Sequence, residues 1–399
     1  MIDAIAARLV GLLGGDRVRK LHRSRVAVIG AGLLGGQLLL HLAMLQIRTV
    51  VVDPGLVEPA NLGNQLFPVA SLGDPKARVR AEQMKAFNPL CPVRALPTRV
   101  EEVGLGVFAD CDLLLTGLDS PASRLAVNRI AAHLGIDWID AAVDGSGRRS
   151  YGTVSWLQPS REDVACYGCR FGPDELAAAA LEVRREPCVS WRSPGVPHSP
   201  PTLTASPFGA VIGGMQMTWA VQALLGESRQ HVGHQLQISA GADAPRVRRV
   251  ELARREACVF PHRRLDPLRR VECRTVGELL DVARRDLGAA PESLVFPERP
   301  LAFGLACATC RKTNPLVKRC ESVGDAEVRC DCPPPGGMGP VEVGNRLAGA
   351  RLPALASQRW PDLGIPAEDL VVAESRGRRR HYLLPPERHD LLPPEKEAT

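Results

Sequence analysis

The sequence feature that most constrains the fold is a glycine-rich turn between a short apolar run and a helical pattern. Residues 25–29 (RVAVI) form a short, mostly β-branched run, Gly30, Gly32 and Gly35 follow at GxGxxG spacing, and leucines then recur at helical spacing. Such glycines let the backbone approach a phosphate at the N-terminus of a helix. The pattern therefore predicts a strand, a phosphate-binding turn and a helix; the alternative is a tight turn with a purely structural role.

Strands and helices alternate beyond this turn. Asp74-Pro75 and Asp119-Ser120-Pro121 each place an N-cap residue and a proline where a helix would begin. The alternation predicts an α/β fold with a doubly wound, Rossmann-like, mostly parallel sheet. The further predicted strands are residues 49–52, 112–117, 138–143 and 153–157.

An acidic residue follows the second predicted strand. Asp53 stands directly after residues 49–52, where a carboxylate can accept hydrogen bonds from ribose hydroxyls. The glycine turn and Asp53 together indicate a nucleotide site, but they suit NAD as well as ATP. These two features therefore leave both hydride transfer and adenylation open.

The segments after Asp53 distinguish between these chemistries. They are residues 53–65 (DPGLVEPANLGNQ), 73–76 (GDPK) and 116–120 (TGLDS). This ordered succession resembles the ThiF/MoeB superfamily of adenylating enzymes, which includes the activating enzymes of ubiquitin-like modifiers, and the resemblance covers about residues 20–262. It implies a reaction in which the C-terminal carboxylate of a partner protein attacks the α-phosphate of ATP, giving an acyl-adenylate and pyrophosphate.

The resemblance also implies roles for individual side chains. Lys76 would hold phosphates and Asp119 would position Mg²⁺ or the nucleotide, because this chemistry needs cations and alignment where phosphate charge develops. The alternatives are a solvated first-turn lysine and an aspartate that is only a helix N-cap. The nucleotide-binding residues implied in this way are Gly30, Gly32, Gly35, Asp53, Asn61, Asn64, Gln65, Lys76 and Asp119.

The sequence departs from the family pattern at one phosphate-binding position. Asn64 stands where the family usually has an arginine, so one cation is missing. A partner subunit could supply it, because the resemblance suggests a homodimer, and the candidates are Arg17, Arg19 and Arg23. The alternative for each of these arginines is a solvated basic helix face. Without compensation, catalysis is reduced or the chain is a nucleotide-binding scaffold without turnover.

A cysteine in residues 187–207 is the candidate nucleophile. Activating enzymes of this superfamily often carry a cysteine in the crossover loop before the final core helix, and Cys188 lies in that Pro- and Ser-rich segment. Its thiolate could take the acyl group from AMP as a thioester; the alternative is an inert loop thiol. Cys91, in a turn, and Cys111, beside a buried strand, are poorer candidates.

Eight further ligand-type residues form two clusters with zinc-binding spacing. Four protein ligands leave no open position for water, so both zinc sites are predicted to be structural. The alternatives are two buried free thiols at the first cluster and a redox CxxC, but a thioredoxin-like context for the latter is absent. The first cluster is Cys166, Cys169, Cys258 and His262, where the histidine departs from the second CxxC of the family. The second cluster is Cys307, Cys310, Cys330 and Cys332, with Cys320 as an alternative ligand.

The chain is predicted to divide into five parts. Thr275 and Glu278 form a capping box for a helix that ends at Gly288, which marks a new unit after the adenylation domain. The zinc module and the tail are predicted to recruit the modifier or a conjugating enzyme. The parts are an N-terminal helix (1–24), the adenylation domain (25–264), a small α/β linker unit (265–300), a zinc-binding module (301–340) and a C-terminal tail unit (341–399).

Composition and charge argue against several classes of function. The net charge of +6 is spread through the chain and only 4% of residues are aromatic, so nucleic-acid binding is not predicted. Residues 208–225 are apolar enough to imitate a membrane span, but they contain Gln216 and Gln222, which favours a buried core helix. No secretion signal opens the sequence, and the CxxC pairs favour zinc over disulfides. A cytoplasmic protein is therefore predicted.

Three functions stay open at this point. The first is an activating enzyme similar to those of bacterial ubiquitin-like conjugation systems, which forms a thioester and passes the modifier to a conjugating enzyme. The second is adenylation of a sulfur carrier with a C-terminal glycine for cofactor synthesis. The third is a non-catalytic nucleotide-binding scaffold. A nicotinamide dehydrogenase is disfavoured, because the Lys76 and Asp119 motifs and the zinc clusters have no role in it.

Overall fold

An eight-stranded mixed sheet organises the first part of the computed structural model, which describes residues 2–145, 150–176, 205–240, 245–332 and 336–386. Its strands are β1 Arg25–Ile29, β2 Arg48–Val52, β3 Val93–Leu96, β4 Leu113–Thr116, β5 Asp137–Asp144, β6 Ser150–Leu157, β7 His234–Ala240 and β8 Arg246–Glu251. Their order across the sheet is β3-β2-β1-β4-β5-β6-β7-β8. The first five are parallel and the last three are antiparallel, which confirms the predicted Rossmann-like fold.

Helices cover both faces of this sheet. Val26 and Val28 of β1 point into one apolar core, while Ala27 and Ile29 point into the other, as the two-residue period of a strand requires. The helices are α3 Leu33–Met44, α4 Lys76–Phe87, α5 Pro121–Leu134 and α6 Ser206–Leu225. The first core receives α3, α4 and α6, and the second receives α5.

The N-terminal region contains two helices where one was predicted over residues 1–24. They are α1 Ile2–Leu13 and α2 Gly15–Arg23. The backbone turns at Gly14, whose φ of 85° is accessible to glycine and costly for other residues. Lys20 Nζ then donates to Leu225 O at 3.0 Å, so α2 docks on the end of α6.

Helix α6 is, among the described helices, the one whose length and hydropathy would allow a membrane span. Half of its apolar window is buried inside the protein, and Ile212 and Ala220 lie fully within the core that α3 also forms. Gln216, also fully buried, donates to Thr116 O and Ile139 O at 2.9 Å each. The prediction of a core helix for this segment is therefore confirmed.

Two smaller sheets form the C-terminal part, and their topology corrects the predicted division. A five-stranded sheet in the order β15-β10-β16-β17-β9 takes strands from both 265–300 and 341–399, so these segments are one folded unit and not two. Its elements are β9 Leu268–Arg270, α7 Val276–Leu287, β10 Ser293–Val295, β15 Arg346–Ala348, β16 Leu370–Ser375 and β17 Arg378–Leu383. Helix α7 carries the predicted capping box, and Gly288 ends it.

The cysteines of the second cluster lie on, or directly after, strands of a four-stranded sheet inserted between β10 and β15. Its strands are β11 Leu301–Cys307, β12 Thr313–Arg319, β13 Arg329–Cys330 and β14 Gly336–Gly344, in the order β12-β11-β14-β13. Strand β14 pairs with β11 as far as Gly344, beyond the predicted end at residue 340. The module is therefore an insertion within a C-terminal unit, which we define as the described residues from 268 to 386.

The C-terminal unit packs closely on the segment between β3 and β4. A Cβ atom at Gly104 would lie 2.1 Å from Ala367 O, so the two backbones meet where only glycine fits. Gly106 N donates to Glu368 O at 2.7 Å. The Glu368 carboxylate pairs with Arg94 at 3.1 Å, and both side chains are largely buried. Backbone contact and a shielded ion pair thus fix the unit on the large sheet.

We expect Gly104→Ala to destabilise the protein by about 1–3 kcal/mol, because the added methyl group overpacks this contact. The midpoint of urea unfolding, followed by tryptophan fluorescence, measures the change. Gly214→Ala is the matched control: a Cβ at Gly214 meets nothing within 4 Å, and alanine in a helix should raise the midpoint slightly. Equal midpoints for the wild type and Gly104→Ala would contradict the close contact with Ala367.

Candidate functional site

The glycine turn after β1 brings three backbone segments into contact. A Cβ at Gly35 would lie 1.9 Å from Gly30 O, and a Cβ at Gly30 would lie 2.6 Å from Gly117 O. Gly30 also has a φ of 94°, which favours glycine. Gly32 is the N-cap of α3, so the free N–H groups of the first helical turn lie at this loop, as phosphate binding requires.

Asp53 is tied to the glycine turn by its own carboxylate. Its Oδ2 accepts from Ala31 N at 2.6 Å and its Oδ1 accepts from Gly55 N at 2.7 Å. Each oxygen keeps further lone-pair capacity, because a carboxylate has about four acceptor sites. Asp53 therefore lies at the carboxyl end of β2, beside the turn, where a ribose hydroxyl could donate to it.

The side chains of Lys76 and Asp53 both lie next to Gly55. Both side chains border the position where Gly55 would carry a Cβ, which lies 3.0 Å from Asp53 Oδ1 and 3.4 Å from Lys76 Cδ. Lys76 is the first residue of α4, and its backbone N donates to Gly55 O at 2.8 Å. Within the described ranges no carboxylate lies in ion-pair distance of its ammonium group. The ammonium group is available to an anion next to the glycine turn.

Asp119 is not a helix N-cap, which corrects the alternative that its Ser-Pro context suggested. Ser120 caps α5, accepting from Ser123 N at 3.4 Å, while the Asp119 side chain is exposed. The predicted cap at Asp74 is likewise wrong, because Pro75 occupies the N-cap position of α4. Asp119 lies two residues after Gly117, which contacts the turn, and no described residue engages its carboxylate.

A buried polar network holds the loop that carries Asp119. Arg124 pairs with Asp140 at 3.1 Å and also donates to Leu118 O. Thr116 Oγ1 donates to Asp140 at 2.5 Å and accepts from Trp138 Nε1 at 2.8 Å. Because these groups are shielded from water and hydrogen-bonded on several sides, the network fixes the loop at the carboxyl end of β4.

The loop of Asn61, Asn64 and Gln65 faces the same turn. Asn61 Oδ1 accepts from Glu58 N at 2.9 Å, so this oxygen is used to shape the loop. Among the described residues, Asn64 Oδ1 and Gln65 Oε1 are buried without hydrogen-bond partners. Gln65 Oε1 lies 3.5 Å from the Cβ position of Gly32. Amide oxygens without hydrogen-bond partners, beside a glycine turn of the phosphate-binding kind, are suited to a bound nucleotide and its hydrated cation.

Arg80 is a site residue that the sequence analysis missed. Its guanidinium donates to Ala31 O at 3.1 Å and to Gly32 O at 3.2 Å, both in the glycine turn, and to Leu66 O at 3.0 Å. It also stacks on Phe67, 3.9 Å from the ring centroid. Burial lowers the pKa of Arg80 to about 10, while Asp53 acts in the opposite direction, so the group stays charged at pH 7.

Arg80 therefore joins the glycine turn to the loop of Asn64 and Gln65 from behind. The spacing from Lys76 to Arg80 places both on α4, one turn apart, and this was the signal available in the sequence. Arg80 is 3% exposed, so it supports the turn and does not supply the cation missing at Asn64.

The remaining candidates have different outcomes. Arg17 pairs with Glu227, and Arg19 pairs with Asp16, so both have partners within their own chain. Their role in a dimer stays a prediction, as does that of Arg23. Cys188 and most of the segment 187–207 lie outside the described residues.

Cys91 and Cys111 are poor nucleophiles. Both thiols are buried, and burial raises the pKa of each to about 12. At pH 7 they stay protonated, whereas the thiolate is the reacting form. The structure thus agrees with their low ranking from sequence.

The first cysteine cluster has the dimensions of a tetrahedral zinc site. Cys166 Sγ lies 3.8 Å from Cys169 Sγ and 3.7 Å from Cys258 Sγ. Cys169 Sγ lies 3.5 Å from His262 Nε2. Zn–S bonds of about 2.3 Å at tetrahedral angles would separate two sulfurs by about 3.8 Å. His262 Nδ1 lies 3.0 Å from Arg161 O, the second hydrogen bond that usually orients a histidine ligand.

The second cluster has the same dimensions. Cys307 and Cys332 have sulfurs 3.7 Å apart, and the sulfurs of Cys310 and Cys330 are 3.5 Å apart. All four ligand atoms lie within 4.8 Å of one another, and the same holds for the first cluster. Cys320 instead belongs to a small apolar core, so it is not an alternative ligand. Both clusters could hold zinc.

The ThiF family model matches residues 6–259, more than half of the chain. The chain belongs to the ThiF family. The matched range holds the glycine turn, Asp53, Lys76 and Asp119, and it ends near the first cysteine cluster. The C-terminal unit lies outside it.

Several curated relatives are adenylyltransferases by name. The chain is 30% identical over 235 residues to a sulfur carrier protein adenylyltransferase of Thermus thermophilus, covering 56% of this chain and 78% of the relative. It is 35% identical over 165 residues to the adenylyltransferase and sulfurtransferase UBA4 of Meyerozyma guilliermondii, covering 41% of this chain. The chain spans only 37% of that protein, and 44% of the Eremothecium gossypii UBA4.

Solved structures that match part of this chain include that of E. coli MccB. The TM-score is 0.46 at 16% identity, covering 61% of this chain and 66% of MccB.

We expect Arg80→Met to weaken ATP binding about tenfold, or about 1.4 kcal/mol, because the carbonyls of the glycine turn lose their charged donor. Isothermal titration calorimetry with ATP measures the dissociation constant. Arg78→Met is the matched control on α4, since Arg78 is exposed and engages no described residue. An unchanged ATP affinity in folded Arg80→Met protein would show that the turn does not need this support.

Proposed function

We propose that this ThiF family member adenylates the C-terminal carboxylate of a ubiquitin-like or sulfur-carrier-like protein. The observation that carries the proposal is the convergence of the glycine turn, Asp53, Lys76 and Asp119 at the carboxyl edge of the parallel strands. Ligands of open α/β sheets bind at this edge. The names of the Thermus and UBA4 relatives support the same reaction class.

In the proposed reaction, an oxygen of the partner's carboxylate attacks the α-phosphorus of ATP. The bond between that phosphorus and the α,β-bridging oxygen breaks, pyrophosphate leaves, and an acyl-adenylate forms. The N–H groups at the start of α3 and the Lys76 ammonium stabilise phosphate charge. Asp53 holds the ribose. Mg²⁺ would screen the triphosphate, and Asp119, Asn64 Oδ1 and Gln65 Oε1 are the oxygen donors that suit it.

The partner and the following step define two versions of the proposal. In the ubiquitin-like version, the Cys188 thiolate attacks the acyl carbon, AMP leaves, and the thioester passes to a conjugating enzyme. In the sulfur-carrier version, the acyl-adenylate itself is the product that a sulfur donor consumes. The relative from Thermus thermophilus, of which the chain covers 78%, supports the second version. A homodimer is part of both.

Zinc has a structural role in this proposal. The first cluster joins the segment after β6 to the segment after β8, and the second closes one end of the β11–β14 sheet. In each cluster four protein ligands would complete a tetrahedron around the ion and leave no position open for substrate. We propose that the two ions stabilise the fold around the nucleotide site and in the C-terminal unit.

ATP–pyrophosphate exchange tests adenylation directly. We expect exchange with a glycine-terminated partner protein encoded beside this chain, and a loss of about 100-fold or more in Lys76→Ala and Asp119→Asn, because phosphate or Mg²⁺ stabilisation is lost. Cys188→Ala should keep the exchange activity but form no thioester. In the wild type the thioester would appear on a gel as an adduct that a reductant removes.

The matched controls are exposed residues of the same type. Lys85 lies on α4 near its C-terminus, and Asp281 lies on α7. The Lys85→Ala and Asp281→Asn variants should both show the exchange activity of the wild type. Saturable ATP binding without exchange for any such partner would refute adenylation and favour a nucleotide-binding scaffold. Exchange without a Cys188 adduct would favour the sulfur-carrier version.

We expect the purified chain to hold two zinc ions, measured by plasma mass spectrometry. Cys166→Ser and Cys307→Ser should each lower the content to about one ion, because a tetrahedral site loses one of its four ligands. Cys320→Ser is the control and should keep both ions. A metal-free wild type in which the seven cysteines of the two clusters react readily with a thiol reagent would contradict the two sites.

A further inference from the structure

A cavity of about 490 Å³ lies between the ThiF-matched part of the chain and the C-terminal unit. Pockets for small organic ligands usually have volumes of about 300–1,000 Å³. One wall is formed by residues of the matched part, including Pro54, Val100 and Ala122; the facing wall includes Pro297, Arg299 and Asp369. None of the side chains assigned a role in the adenylation chemistry above lines this cavity.

The cavity adjoins the nucleotide site. Pro54 follows Asp53 in the chain, and Ala122 lies in the first turn of α5, three residues after Asp119. Pro97 and Thr98, which follow β3, also line it. These segments stand at the carboxyl ends of β2, β3 and β4, which is the edge where the glycine turn lies. The cavity therefore lies at the same edge of the sheet as Asp53, the residue proposed to hold the ribose.

Most of the charged side chains around the cavity are in ion pairs. Arg129 binds Glu298 at 2.8 Å. Arg299 binds Asp369 at 2.7 Å, with both side chains at most 10% exposed. Burial lowers the pKa of His133, another lining residue, to about 4, so its ring is neutral at pH 7. With its arginines neutralised, the cavity is better suited to an uncharged aromatic ring than to a phosphate.

The C-terminal wall is held against the matched part by Arg299. Its guanidinium donates to Glu101 O and, at 3.0 Å, to Val103 O, in the segment that follows β3. The same group lines the cavity and pairs with Asp369. Arg299 therefore contributes both to docking of the C-terminal unit and to the shape of the cavity.

We propose that the C-terminal unit is part of the nucleotide site and forms the outer wall around the base of the bound nucleotide. The inference rests on the proposed function for the identity of the nucleotide. Pro54, Val100 and Ala122 contact one side of the ring, and Pro297 with the Arg299–Asp369 pair closes the other. By thermodynamic linkage, ATP then strengthens docking of the unit, and docking strengthens ATP binding to the same extent.

Photolabelling of the full-length protein with azido-ATP, whose azide is on the purine ring, tests the contact. Labelled peptides are identified by mass spectrometry, with excess ATP as competitor. We expect ATP-sensitive labels on residues 97–103 and also on 297–299 or 369–370. Labels confined to the ThiF-matched part would overturn the inference.

The affinity of Arg299→Met for ATP tests the coupling. We expect the dissociation constant to rise about tenfold, within the range typical of coupled sites. Arg346→Met is the matched control: Arg346 is half-exposed and pairs with Glu374 on the five-stranded sheet. An unchanged affinity in Arg299→Met would overturn the coupling. If that variant does not fold, photolabelling of the wild type decides alone.

The result for the wild type separates this inference from the proposed function. Exchange activity together with labels on one wall only would overturn the inference and leave adenylation intact. Labels on both walls without exchange would uphold the inference for a nucleotide-binding scaffold. A wild type that binds no ATP would overturn both.

Discussion

The structure depends on the close approach of three backbone segments at the carboxyl edge of the parallel strands. Gly35 lies against the carbonyl of Gly30, and Gly30 lies against that of Gly117, with no room for a Cβ at either glycine. This contact places the start of α3 beside Asp53 and the Asp119 loop at the same time. Every candidate group of the nucleotide site is positioned relative to it, so the site exists only because these chain segments meet without side chains between them.

Arginines support this arrangement from behind. Arg80 is bound to carbonyls of the glycine turn, Arg124 to Asp140 beneath the Asp119 loop, and Arg299 to carbonyls beside the cavity. Burying a charge is costly unless hydrogen bonds replace its water. A planar guanidinium can satisfy several acceptors at once, which explains why arginine occupies these places. In each case the charge holds a loop and leaves the reactive edge to glycines, Lys76 and Asp119.

The two cysteine clusters and the C-terminal unit add long-range connections to a fold whose sheet is built mostly from neighbouring segments. Cys166 and Cys258 are far apart in the chain yet have sulfurs 3.7 Å apart, and strands from both sides of the β11–β14 insertion share one sheet. Such contacts cost loop-closure entropy and need strong local interactions to offset it. The two sets of potential metal ligands and the buried ion pair of Arg94 with Glu368 can offset this entropy cost.

The sequence alone determined the Rossmann-like sheet, the glycine turn, Asp53, the capping box of α7 and the two ligand sets, because each depends on residue spacing within short segments. It also predicted Lys76 and Asp119 as candidate site residues, through the succession of motifs. Tertiary structure decided the rest. Arg80 and Arg299 look like ordinary basic residues until folding brings carbonyls around them, and Cys320 resembles a ligand until it is seen in an apolar core. The segments 265–300 and 341–399 form one sheet because strand pairing is non-local, and local patterns carry no information about which strands pair.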